Sequence, residues 1–273
     1  MPEHSSEYAY ETILRGLKDA GIRKGDVVLV HSDASAAMAL GGFEWWDDAV
    51  ELLKKCFLDA LGPRGTLIVP TFNYDFCKGV GYSHEESLSQ VGVFSNSVLS
   101  DPRAIRSFQP IFSFAAIGPA AASLFNDLSR SCFGKDSVFH RLHLMNAKII
   151  FFNVNIEFCT FIHYVEQARG VDYRYLKYFT GRVAKQGVER EDTFEYYVRD
   201  LEQDVFTHLA RLGEDLLSAG LMKKTALAGK YPVYATKADD VFKMAMKELG
   251  ADPYYLIKDP PKRPVNRHGT IRS

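Results

Sequence analysis

Residues 25–73 hold the stretch that decides the fold, GDVVLVHSDASAAMALGGFEWWDDAVELLKKCFLDALGPRGTLIVPTFN (Gly25–Asn73). Its first piece, GDVVLVHSD, is a β-branched run bounded by Gly25 and polar residues, and it predicts a strand. WWDDAVELLKKCFLDAL follows with helical periodicity and is stopped by Gly62-Pro63. GTLIVPTFN is a second strand. A strand–helix–strand unit favours a parallel pair, because parallel neighbours need a crossover of helical length.

The alternation continues on both sides. Upstream, SEYAYETILRGLKDAGI predicts an amphipathic helix ended by Gly21. Downstream, VGVFSNSVLSD and PAAASLFNDL predict helices, and IFSFAAIGP and AKIIFFNVN predict a third and a fourth strand. Tyr74 to Ser89 is polar and irregular, and loops of that length are commonly functional or disordered. Tyr173 to Asp200 turns aromatic and alternating, as in an antiparallel hairpin. LEQDVFTHLARLGEDLLSAG and KADDVFKMAMKEL predict helices with a short strand, KYPVYAT, between them. The expectation is one α/β domain over residues 1–258, an insert at about 173–200, and a loosely ordered Pro- and Arg-rich tail over 259–273.

Composition narrows the function. The 273 residues are 47% hydrophobic and 25% charged, an ordinary globular balance with a formal net charge of −1. A nucleic-acid partner is not expected, since no concentrated basic surface shows outside the tail. No run of 18 apolar residues exists and the N-terminus lacks an apolar signal core, so the expectation is no membrane partner and a cytoplasmic location. Cys56, Cys77, Cys132 and Cys159 form no CxxC pair, which argues against zinc and against a disulfide framework. His84, His140 and His143 have no accompanying carboxylate or cysteine pattern, so no metal is expected. Neither GxGxxG nor a P-loop follows the first strand, and G-x-S-x-G is absent.

Open α/β sheets bind ligands beyond the carboxyl ends of their strands. Polar groups collect at three such ends: His31, Ser32 and Ser35 after the first strand, Thr71, Asn73 and Asp75 after the second, and His163 and Glu166 after the fourth. His163 and Glu166 are spaced i, i+3, which on a helix puts an imidazole and a carboxylate on one face. A carboxylate there fixes the histidine tautomer and raises its basicity, as in many general bases.

The order and wording of GDVVLVHSDAS, GGFEWWDDAV, GPRGTLIVPTF, SQVGVFSNSVLSDPRAIRSFQPIFSFAAIG, FGKDS, NVNIEFCTFIHYVEQ and YRYLK resemble the aminoglycoside 3-N-acetyltransferases, from the first helix to about Ile257. The resemblance implies an α/β/α sandwich with a central, mainly parallel sheet and a small antiparallel insert. It further implies transfer of an acyl group from acetyl-CoA or another acyl-CoA to the amine of an amino sugar. Its HxxE motif falls on His163 and Glu166, implying a general base and its orienting partner. By the same resemblance Ser32, Ser35 and Thr71 surround the thioester and pantetheine, and His31 is also expected on the cofactor side. Arg106, Ser107 and Ser113 also match cofactor-side positions, Arg106 as a phosphate partner because guanidinium suits phosphate oxygens.

Two departures stand out. Gln109-Pro110 replaces the usual HP, and YSHEESLSQVG replaces FDPxxTPSxxG, without the aspartate. Asp75, Glu85 or Glu86 remain as sources of that charge, beside the hydroxyls of Ser87 and Ser89. Asp75, Glu86, Ser89, Tyr173 and Arg174 are therefore the expected acceptor contacts. Arg169, Arg174, Lys177, Arg182 and Arg190 interleave with acids and tyrosines in and beside the insert, which favours a phosphorylated acceptor over a polycation. On that ground the expected acceptor is a nucleotide-linked amino-deoxysugar. The alternatives are an aminoglycoside, an amine outside sugars, and a non-catalytic coenzyme A-binding member, the last disfavoured by retention of His163 and Glu166.

Overall fold

A computed structural model of the chain describes residues 4–263. The first half runs α1 (Ser6–Asp19), β1 (Val27–Ser32), α2 (Ser35–Gly41), α3 (Trp46–Leu61), β2 (Thr66–Pro70), β3 (Tyr82–Ser83), α4 (Val93–Leu99), β4 (Ile105–Arg106) and β5 (Phe114–Ile117). The second half continues with α5 (Ala121–Phe125), α6 (Val138–Leu144), β6 (Lys148–Phe152), α7 (Ile162–Arg169), β7 (Arg174–Lys185), β8 (Val188–Arg199), α8 (Ala210–Ser218), β9 (Lys223–Leu227), β10 (Tyr231–Lys237) and α9 (Ala238–Ala251). Among the described residues no helix is long and apolar enough to cross a membrane.

The strand–helix–strand reading of residues 25–73 holds. β1 lies parallel between β2 and β6, with Val28 opposite Leu67 on one side and Lys148 on the other. The sheet order is β4-β5-β2-β1-β6-β10-β9. Since β5 and β10 join antiparallel to their neighbours, five of the seven strands point one way and two the other. The fold is the expected α/β/α sandwich, with parallel pairing in the large sheet confined to β2-β1-β6.

Central parallel strands are buried on both faces and are apolar throughout. In β1, Val28 and Val30 enter a core with Leu17 of α1, Ala36 of α2, Phe57 of α3 and Val98 of α4. Leu29 enters the opposite core with Ile149 and Phe151 of β6, Val165 of α7 and Val241 of α9. Because side chains alternate along a strand, His31 falls on Leu29's side, where it stacks on Phe151 at 5.7 Å.

The insert forms a second sheet, β3-β7-β8, with β7 and β8 in register from Arg174↔Arg199 to Lys185↔Val188. β3 adds parallel to β7, so the irregular loop after β2 is pinned to the hairpin. The helix expected from Leu201 starts only at Ala210. Local and distant partners override helical propensity before it: Asp200 caps the Glu202 N–H, Thr207 bridges to Ile257, and the Glu157 carboxylate accepts the Leu209 N–H. The lysine-bearing edge strand β9 and the short helices α2 and α6 were not anticipated. The tail at 259–273 lies mostly outside the described residues, which end at Arg263.

Candidate active site

β6 ends at Phe152, and the chain passes through a short 3-10 turn, Ile156–Phe158, before α7 begins at Ile162. This carries Thr160 and His163 to the carboxyl end of the sheet. His163 and Glu166 face one another one turn apart, with Nδ1 of the imidazole 2.7 Å from Oε2 of the carboxylate. Gly170, at φ 70°, caps α7 and turns the chain toward β7. The first residue of β7, Arg174, then brings its Nε to 2.7 Å from the same Oε2. That N–H does not line up on the oxygen, so the contact is an ion pair. The remaining guanidinium nitrogens donate to the Tyr197 carbonyl and the Thr207 hydroxyl.

Glu166 is wholly buried and Arg174 is 5% exposed. Burial acts to raise the carboxyl's pKa, but Arg174 and His163 outweigh it and hold Glu166 below its ordinary value. An ionised carboxylate can only accept, so Nδ1 of His163 carries the hydrogen and Nε2 keeps its lone pair. Burial, aided by Arg174 and opposed by Glu166, holds His163 below the usual histidine range. The imidazole is thus neutral and ready to take a proton at neutral pH.

His163 lines a cleft of about 470 Å³ at the carboxyl ends of β1 and β2 and beyond β6. His31, Ser32, Pro70, Phe72, Tyr74, Gly92, Ser95, Glu157, Phe158, Thr160 and Thr207 share its walls. Tyr74, Gly92, Ser95, Glu157, Thr160 and Thr207 were not anticipated. The strand-end rule that found His163 would also have found Glu157 and Thr160. Thr207 had no such signal, because it arrives from a distant segment.

Several expected site residues face inward. Arg106 is 8% exposed and donates to the His84, Ser87 and Thr71 carbonyls and to Ser113 Oγ. It is a strut between the loop and β2, not a free phosphate ligand. Thr71 Oγ1 and Ser113 Oγ bond each other at 2.8 Å, and Ser107 Oγ accepts the Phe114 N–H. All three are fully buried. Ser35 is tied to Asp33 and Asn153. Asp75 holds Lys78 and Gln90, while Ser89 Oγ accepts the Val91 N–H. Glu86 is exposed on a separate depression beside the hairpin. Tyr173 is fully buried, and its phenol, raised by burial and by Glu166, keeps its proton. Tyr173 and Arg174 therefore support the His163–Glu166 pair from behind and do not present a surface to an acceptor. Gln109 also has a structural use: its Oε1 accepts the N–H groups of Ile111 and Phe112, forming the turn before β5.

A family model described as Aminoglycoside 3-N-acetyltransferase matches residues 29–250. The chain is similar to the aminoglycoside N(3)-acetyltransferase IX of Micromonospora chalcea, 28% identical over 270 residues, spanning 88% of this chain and 92% of that one. The solved structure of aminoglycoside acetyltransferase AAC(3)-Xa superposes with a TM-score of 0.76 at 19% identity, covering 88% of this chain and 92% of that one. AAC-IIIb, solved with CoASH, gives 0.74 at 18% identity, covering 89% and 96%. At these identities the structural likeness speaks to the fold.

These matches overturn the nucleotide-linked acceptor expected from the insert's charges. The physical reason is pairing. Arg174 is buried on Glu166, Arg182 faces Glu189 at 3.4 Å, and Arg190 and Arg130 share Asp192. Basic residues paired in this way with acids of the hairpin and of α7 make no phosphate reader.

Proposed function

Because the chain belongs to the aminoglycoside 3-N-acetyltransferase family, and is thus an N-acyltransferase, we propose that it moves an acetyl group from acetyl-CoA to the 3-amine of an aminoglycoside. The observation that carries this reading is the 2.7 Å contact between His163 Nδ1 and Glu166 Oε2 at the wall of the cleft. The acceptor enters as an ammonium, which has no lone pair to attack a thioester. His163 Nε2 removes a proton, while Glu166 holds the imidazole in the tautomer that can do so.

The amine nitrogen then bonds to the acyl carbon, and the carbonyl π pair moves onto oxygen. Collapse of the tetrahedral species breaks the C–S bond. Of the ammonium's three hydrogens, one leaves to solvent, one ends on the thiol sulfur by way of His163, and one stays on the amide. Coenzyme A would enter along the cleft wall past His31 and Ser32.

Thiol release from acetyl-CoA with gentamicin and kanamycin tests the reading, with the product's acetylated position assigned by NMR. The expected result is turnover that His163→Asn abolishes in a folded protein. Absence of turnover on any aminoglycoside would overturn it.

A further inference from the structure

Two buried polar atoms of residues in the cleft wall have no hydrogen-bond partner among the described residues: Nε2 of His31 and Oγ1 of Thr160. They come from neighbouring parts of the sheet edge. His31 pairs with Phe151 across β1 and β6, and Thr160 lies beyond β6, three residues before His163. Leaving such an atom unpaired costs about 1–3 kcal/mol, and native proteins tolerate few without a use for them.

His31 is held where it is. It is 6% exposed and lies nearly flat on Phe151, with ring planes 14° apart. Burial alone pushes its pKa down to about 4, so the ring stays neutral at neutral pH. A base that weak cannot usefully deprotonate an ammonium. A neutral imidazole N–H is, however, a good donor to a carbonyl oxygen that gathers negative charge, a role in which depressed histidines act as electrophiles.

We propose that His31 donates its Nε2–H to the acyl carbonyl oxygen of the bound thioester, with the Thr160 hydroxyl as second donor, and that the pair stabilises the oxyanion formed on amine attack. This rests on the acyl-transfer reading above. His31 gives up no proton: the π pair that moves onto oxygen returns when the C–S bond breaks, and the transferred protons all pass through His163. Donors fixed in place before the charge develops need no reorganisation as it forms, which makes such pairs effective.

The test uses His31→Leu, His31→Gln and Thr160→Val. His31→Leu should lower kcat by about 10²–10³-fold. Its affinity for free coenzyme A, which lacks the thioester carbonyl, should change little, and the acidic limb of the pH profile should not move. His31→Gln, whose amide can donate, should recover part of the loss, and Thr160→Val should show a smaller one. An infrared measurement keeps the idea testable if the variants fold poorly. Carbonyl-¹³C acetyl-CoA bound to His163→Asn, which blocks turnover, should show its C=O stretch shifted to lower frequency. Adding His31→Leu should abolish that shift.

Wild-type kcat in His31→Leu, a kcat loss matched by loss of coenzyme A affinity, or an unshifted stretch would each overturn the proposal. A shifted stretch without turnover on aminoglycosides would sink the acceptor assignment and leave His31's role standing. Failure of acetyl-CoA to bind would sink both.

Discussion

Oε2 of Glu166 lies 2.7 Å from His163 Nδ1 and 2.7 Å from Arg174 Nε, so one buried carboxylate oxygen joins the candidate base to the first residue of the hairpin. The Arg174 charge compensates the Glu166 charge, so the carboxylate orients the imidazole more than it strengthens it as a base. Arg174 acts to lower the His163 pKa, and Glu166 acts to raise it.

Arg174→Met should therefore move the acidic limb of kcat/KM to higher pH, because it removes a charge that disfavours imidazolium. It also leaves Glu166 buried without its counter-ion, a loss of about 3–5 kcal/mol. Arg174→Lys should keep more of both. The pH–rate profile beside urea unfolding checks this, and an acidic limb that stays put in Arg174→Met would refute the coupling.

Glu166→Gln should lower kcat by about 10²–10⁴-fold, the range of general-base assistance. The loss should exceed what misfolding accounts for. His163→Asn should lower kcat at least as far with little loss of stability, since it removes no buried charge. Single-turnover rates and thermal melts distinguish them. Equal destabilisation by both variants would contradict the burial of the Glu166–Arg174 pair.

Stability should fall as the solution is acidified below pH 6.5. His31 and His84 are both pushed to about 4, mainly by burial, and His163 is also lowered. Between pH 6.5 and 4 the unfolded chain binds protons that the folded chain refuses, so this stability is present above 6.5 and is lost on descent. For His31 alone the loss by pH 4.5 is about 2–3 kcal/mol. Denaturant titrations at pH 7.5 and 4.5 should show a smaller difference for His31→Gln than for wild type. An unchanged difference would mean that the ring titrates normally.

Arg106→Met should cost stability and not cofactor affinity. The guanidinium holds three backbone carbonyls and Ser113 Oγ, and its loss leaves those acceptors unpaired at a cost on the order of 3 kcal/mol. Coenzyme A titration of the surviving folded fraction should give a wild-type dissociation constant. A weakened constant with unchanged stability would restore Arg106 as a phosphate ligand.

Much of this protein follows from local pattern. β-Branched runs bounded by glycine and an intervening amphipathic helix specify the strand–helix–strand unit, because strand and helix periodicities are properties of a few consecutive residues. The i, i+3 spacing of His163 and Glu166 likewise places them on one helical face without knowledge of the rest of the chain. What sequence could not decide was which polar residues point into the cleft. Arg106, Thr71, Ser113 and Arg174 have the chemistry of ligands, yet they are consumed by partners elsewhere in the chain, while Ser107 is tied to Phe114 and Tyr173 is buried away from the cleft. The insert's basic residues misled for a related reason: Arg182 meets Glu189 only when β7 and β8 fold together, while Arg190 is paired along its own strand with Asp192, which the fold also brings to Arg130. Charge and hydrogen-bonding capacity are written residue by residue, but whether they remain available depends on which distant groups the fold brings within 3 Å or so, and the tertiary structure alone decides that.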